Sequence, residues 1–137
     1  MGGAEGEASA SRIGELCFEQ QGFSVDTSQA GDHFDARLSG VAEIASADRL
    51  ARYLEALHQR ATGAGARQVV MDLVRLEFMN AACLRAFVGW IQRLQELPPR
   101  QRYHVCFRSN SQLPWQRRSM NALRCFATDL ISVETGV

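Results

Sequence analysis

The chain has 137 residues, 46% of them hydrophobic and 22% charged, with 15 basic residues (all arginine) balancing 15 acidic ones at zero formal net charge. That length suits one domain with a hydrophobic core, and the charge balance speaks against general nucleic-acid binding. No apolar run approaches the roughly 18 residues of a membrane span, and the opening MGGAEGEASASR has neither a basic nor an apolar signal region, so a cytoplasmic protein is expected.

Residues 1–12 are small and polar and read as a disordered tail, with one domain over 13–137. IGELCFEQ and GFSVDTSQ are short β-prone runs parted by Gln21-Gly22. HFDARLSG sets Phe34, Ala36 and Leu38 on one face at period two and reads as a strand ended by Ser39-Gly40. Ser46 then stands as N-cap to ADRLARYLEALHQRA, where Leu50, Tyr53, Leu54, Leu57 and Ala61 make an amphipathic helix closed by Gly63 and Gly65. ARQVVMDLVRL, nearly continuous in apolar residues, reads as a buried strand.

Asn80 can cap a second helix, AACLRAFVGWIQRLQEL, with Leu84, Phe87, Val88, Ile91 and Leu94 at helical period and Pro98-Pro99 as terminator. YHVCFRSN is a strand, Leu113-Pro114 opens a third helix, WQRRSMNALRCFA, and DLISVET closes as a strand. Strands alternating with helices predict βαβ units and an α/β fold: a mostly parallel or mixed sheet of about five strands with three to four helices. The expected core includes Leu54, Val69, Val70, Leu73, Leu84, Phe87, Val88 and Val105.

Cys17, Cys83, Cys106 and Cys125 are widely spaced, without a C-x-x-C pair, and read as free thiols. His33, His58 and His104 are isolated, so neither a metal nor a cofactor is expected. Charge is uneven along the chain: residues 1–60 hold ten acids and five arginines, residues 61–137 five acids and ten arginines.

The most specific stretch is QVVMDLVRLEFMNAACLRAFVGWIQRL, residues 68–94. Asp72-Leu73 closing a buried strand, a short turn, Phe78-Met79 and then Asn80-Ala81-Ala82-Cys83-Leu84 opening a helix resemble the centre of STAS domains, the fold of anti-sigma-factor antagonists. There the strand ends in Asp-Leu and Phe-Met-Asp-Ser-Ser-Gly-Leu opens the helix. The order of elements from about residue 13 onward is similar to that family as well.

The resemblance implies a regulatory binding module in a partner-switching pathway. In that family a serine kinase of anti-sigma type phosphorylates the first Ser of the motif, a phosphatase reverses it, and the unphosphorylated form binds the kinase. A phosphate adds about −1.5 to −2 charges at a helix N-terminus and can eject a docked partner without unfolding the domain. Here Ala81 holds the phosphoacceptor position, Ala82 the next Ser, Asn80 the Asp and Cys83 the Gly. Such a chain is non-phosphorylatable at the usual site, whether its alanines are natural or replaced serines. The partner surface implied comprises Asp72, Met79, Asn80, Ala81, Ala82, Cys83 and Arg85, although Asn80 can equally be only a cap and Asp72 only a loop ligand.

A second candidate surface is Trp115 with Arg117, Arg118 and Ser119, where two arginines could take an acidic partner or a phosphate, or simply line a solvated helix face. The alternative function is a structural STAS subunit that assembles with itself or with other STAS proteins. An enzyme using Cys83 as nucleophile ranks last, because no phosphate loop, paired carboxylates or triad signature is present.

Overall fold

The strand and helix patterns close into one mixed sheet with helices packed on one of its faces. The computed structural model describes residues 10–136. In chain order the elements are β1 (Ser11–Arg12), β2 (Phe18–Gln20), β3 (Phe23–Ala30), β4 (His33–Ala42), α1 (Ala47–Gly63), β5 (Gln68–Met79), α2 (Ala81–Gln95), β6 (His104–Ser109), α3 (Pro114–Phe126) and β7 (Ile131–Thr135). The sheet has seven strands in the order β1-β3-β4-β5-β6-β7, with β2 also paired to β3. β3 and β4 are antiparallel, whereas β4, β5, β6 and β7 run parallel. Parallel neighbours need a crossover, and α1, α2 and α3 supply them in turn.

The strand count exceeds the expected five because the N-terminal segment is used more fully than its composition suggests. Ser11 and Arg12, assigned to a disordered tail from sequence, pair with Gln29 and Ser28 of β3. Residues 1–9 of that expected tail lie outside the described residues. IGELCFEQ is not one strand either, since a 3-10 turn at Gly14–Leu16 interrupts it. Ile13 and Leu16 are both buried, and a spacing of three would send them to opposite faces of a strand. The turn brings both inward.

Tight turns hold the N-terminal strands. Gln21 (φ 52°) and Gly22 (φ 85°) form the two-residue β2–β3 connection, both with the positive φ of a type I′ turn. Gly40 is required more strictly: at φ 91°, a Cβ there would stand 1.9 Å from the Gly22 carbonyl oxygen. That carbonyl accepts the Val41 N–H at 3.0 Å.

On the helix-covered face, Phe34, Ala36 and Leu38 of β4, Val69, Met71 and Leu73 of β5, and Val105 and Phe107 of β6 are fully buried. They meet Leu50, Leu54 and Leu57 of α1 and Phe87, Ile91 and Leu94 of α2 in one core. Each such large side chain contributes roughly 1.5–3 kcal/mol on burial. Of the expected core residues, Val70, Leu84 and Val88 are only half-buried. Val70 alternates onto the other face of β5, and the buried stripe of α2 turns instead toward Cys83 and Trp90. Trp90 is drawn inward by a polar partner: its Nε1–H donates to Tyr103 Oη at 2.8 Å, and that hydroxyl lies 2.7 Å from His58 Nδ1. Ser46 occupies the N-cap position of α1 but makes no side-chain capping bond. A short 3-10 turn, Ile44–Ser46, leads into the helix and uses backbone bonds there.

β5 is longer than its sequence pattern indicates. It does not end at Asp72-Leu73 but continues to Met79, paired with β4 through two register shifts. β6 accompanies it only as far as Asp72 opposite Arg108. Beyond that point, side chains take over the carbonyls that β6 would have paired. Asn110 donates to Val74 O (3.0 Å), Gln116 to Leu73 O and Leu76 O (2.7 and 2.9 Å), and Trp115 Nε1 to Glu77 O (2.8 Å).

Candidate partner-binding site

The chain turns from β5 into α2 at Asn80, and three sets of bonds fix that turn. The Asn80 N–H donates to Ala42 O at 2.8 Å, continuing the β4–β5 pairing by one residue. Its backbone is extended (φ −66°, ψ 153°), and its side chain accepts the Ala82 N–H at 2.8 Å. Its carbonyl accepts the Cys83 and Leu84 N–H groups at 2.9 and 3.1 Å. Asn80 is therefore the N-cap expected from sequence, a role worth about 1 kcal/mol.

Ala81 is exposed and Ala82 half-buried in the first turn, and Arg85 is exposed one turn on. Residues four apart share a helix face, so Ala81 and Arg85 lie side by side. The 3-10 turn Ile44–Ser46 packs against α2, and β5 delivers Phe78 just before the cap. Ile44 is 68% exposed and Phe78 44% exposed. The accessible surface around the turn thus carries two large apolar residues together with Arg85 and the exposed carboxylates of Glu43 and Glu77. Neither Ile44 nor Phe78 was singled out from sequence as a contact residue. No sequence pattern marks them: the structure leaves Glu77 and Phe78 exposed between buried Leu76 and Met79.

Two residues of the expected surface point the other way. Met79 is buried, and Cys83 is fully buried with its thiol directed at Glu43 O, 3.4 Å away. Burial pushes the Cys83 thiol up in pKa, against a smaller lowering by the Asn80 backbone. The helix dipole does not make it a thiolate, so Cys83 is a core residue.

Asp72 also stands apart from this turn. It lies within β5, on the face opposite the helices, seven residues before Met79, or roughly 20 Å along an extended chain. Its Oδ1 accepts the Val74 N–H at 3.0 Å and its Oδ2 accepts from Arg108 at 3.2 Å, with Arg37 Nε 3.9 Å away. Its bonds are to β4, β5 and β6 residues rather than to the α2 cap. Trp115 is half-buried and tied to β5, while Arg117 and Arg118 are exposed and Ser119 half-buried on α3. Among the described residues, no group of three His, Cys, Asp or Glu side chains is placed to hold a metal ion. Nor is any described helix long and apolar enough to cross a membrane.

No family model matches the chain, and no curated protein does so by sequence. Solved structures do match. One is the crystal structure of an anti-sigma factor antagonist from Mycobacterium paratuberculosis. It is 13% identical, with a TM-score of 0.53 over 92% of this chain and 86% of that one. At that identity the likeness speaks for architecture alone. The chain has the mixed α/β STAS fold of an anti-sigma factor antagonist.

Proposed function

We propose that this protein is a regulatory binding module that docks a protein partner on the first turn of α2, through Ile44, Phe78, Ala81, Ala82 and Arg85. The partner is a serine kinase of anti-sigma type, and the chain is held in the binding-competent form because Ala81 offers no hydroxyl for phosphate. The observation that carries this reading is the surface itself. Ala81 is exposed in the first turn of α2, where the sequence resemblance expects the phosphoacceptor, and Ile44 and Phe78 are large exposed apolar residues on the segments beside that turn. Single exposed apolar residues are ordinary, but Ile44 and Phe78 border one capped turn, as contact sites do.

The test is to introduce charge at residue 81. Ala81→Asp adds a carboxylate close to the positive end of α2 and should leave the fold intact. Within a docked interface the same carboxylate is buried without a partner, at a cost of about 3 kcal/mol, or roughly a hundredfold in affinity. Ala81→Ser should retain binding and become a substrate of the kinase. The kinase is recovered on the unmodified chain, and its affinity for each variant is then measured by calorimetry. Equal affinity for Ala81→Asp and the parent, with the fold unchanged, would place the interface elsewhere, and Trp115, Arg117, Arg118 and Ser119 would be tested next.

A further inference from the structure

The face of the sheet opposite the helices carries a row of alternating charges. Asp26 of β3 is in register with Arg37 of β4, Arg37 with Asp72 of β5, Asp72 with Arg108 of β6, and Arg108 with Glu134 of β7. Arg12 extends the row beyond β3, its guanidinium 3.3 Å from Asp26 Oδ1. Read across the sheet, the row is Arg12, Asp26, Arg37, Asp72, Arg108, Glu134: plus, minus, plus, minus, plus, minus. A cavity of about 390 Å³ opens between Arg12, Asp26, Asp35 and Arg37, and another of about 300 Å³ between Arg37, Asp72, Arg75 and Arg108. Arg12, Asp26, Arg37 and Glu134 are well exposed in this row and Arg108 partly so, whereas the Asp72 side chain lies deeper, 10% exposed, at the floor of the second hollow.

Within one chain the row holds ion pairs Arg12–Asp26 (3.3 Å), Arg37–Asp72 (3.9 Å), Asp72–Arg108 (3.2 Å) and Arg108–Glu134 (3.7 Å), while Asp26 and Arg37 are joined by register alone. Its order has a second property. A sequence of three plus-minus steps is antisymmetric about its midpoint, which falls between Arg37 and Asp72. We infer that this face is the contact surface of a two-fold homodimer, with the axis parallel to the strands between β4 and β5. Such an axis reverses the strand order while keeping the row opposite itself. It sets Arg37 against Asp72 of the second copy, Asp26 against Arg108, and Arg12 against Glu134, each pair occurring twice. An axis running across the strands would place Arg37 on Arg37 and Asp72 on Asp72 instead. Isologous contact of this kind is the commonest form of self-association, and sheets stack face to face with strands within about 30° of one another.

The same features set the strength of the dimer. β3 to β7 span about 19 Å across and about 20 Å along the strands, roughly 400 Å² of flat area per copy, below the ~800 Å² of a standard interface. The contact is also charged rather than apolar. A weak, reversible dimer that salt disperses is the expected product. It uses the face opposite the helix layer and leaves the α2 turn of each copy open, so it does not depend on the partner reading above.

Charge reversal with rescue tests it. Asp26 and Arg108 are separated within one chain by β4 and β5, yet they meet across the proposed axis. The full chain is studied by sedimentation velocity at low and high salt, with circular dichroism of every variant. The parent should dimerise at low salt and dissociate as salt rises. Asp26→Arg and Arg108→Glu singly should each weaken the dimer about a hundredfold, because each creates two like-charge contacts. The double variant should restore most of the affinity, an effect that no intrachain pairing of these residues can produce. If a single variant fails to fold, Arg12→Glu and Glu134→Arg, the outer pair of the row, replace it. A parent that stays monomeric at low salt would overturn the inference. So would a dimer indifferent to the single reversals, or a double variant no better than the singles. Ala81→Asp should leave this dimer unchanged, which keeps failure here distinct from failure of the partner reading.

Discussion

Arg37 and Leu38 are adjacent on β4, yet they belong to two different environments. Leu38 is fully buried under the helices, whereas the Arg37 side chain is 67% exposed in the charged row on the other side. The same period of two that builds a close-packed layer from Phe34, Ala36 and Leu38 builds a polar layer from Asp35, Arg37 and Ser39. The two faces differ in what holds them. One rests on water exclusion and packing, which act at any ionic strength, and the other on Coulomb pairing near solvent, which salt screens. The fold is secured by the first face, and the second is left free to select a contact.

The largest expected effect tests the covered face. Leu38→Ala removes a fully buried side chain from the middle of the core and should cost about 2–5 kcal/mol. Chemical denaturation should show a lower midpoint with an unchanged slope. A loss below about 1 kcal/mol would mean that the core relaxes around β4, contrary to its dense packing.

That face was also the more legible in the sequence. The alternation in β4, the helical stripe of α1 and the Asn80 cap are local patterns, and each appears in the structure where the residues place it. The second half of β5 was not legible. Val74 to Met79 looks like a turn because its partners come from afar: β4 through two register shifts, and the side chains of Asn110, Trp115 and Gln116. Gln116, fully buried and bonded to two β5 carbonyls, reads in the sequence as one more polar helix residue. The inward turn of Cys83 and the exposure of Ile44 and Phe78 depend on how α2 rotates against the sheet, which residue types alone do not specify. The charged row was legible only as separate polar residues. Its order exists only once register is fixed, and register is a tertiary property.

A smaller effect concerns the polar group inside the covered layer. The Trp90 N–H can only donate, so Tyr103 Oη accepts it, and the same hydroxyl lies 2.7 Å from His58 Nδ1. His58 is buried beside this pair. Its pKa is lowered, chiefly by burial and further by Arg93, with Glu55 and Glu96 opposing. Below the ordinary imidazole value of about 6.5, the unfolded chain binds a proton that folded His58 still refuses. Stability is therefore fully present above that value, and His58 withdraws part of it as pH falls until the folded imidazole itself protonates. Thermal unfolding between pH 7.5 and 5 should show this decline, and His58→Gln should flatten it. An equal slope in the variant would assign the decline to other groups.

The smallest expected effect lies on the open face. The guanidinium of Arg37 is largely solvated, and its Nε is 3.9 Å from Asp72, which keeps Arg108 and the Val74 N–H when Arg37 is removed. Asp72 is then not left as an unpaired buried charge, the circumstance in which breaking an ion pair becomes expensive. Arg37→Ala should accordingly change monomer stability by about 0–1 kcal/mol, and less as salt rises. The measurement belongs at low protein concentration, where mass action keeps chains apart and dimer formation adds nothing to the apparent stability. A loss comparable to that of Leu38→Ala, one residue away, would mean that the charged row secures the fold itself. Asp72 would then depend on Arg37 much more than their separation suggests, and a row needed inside each chain would be less available for contact between chains.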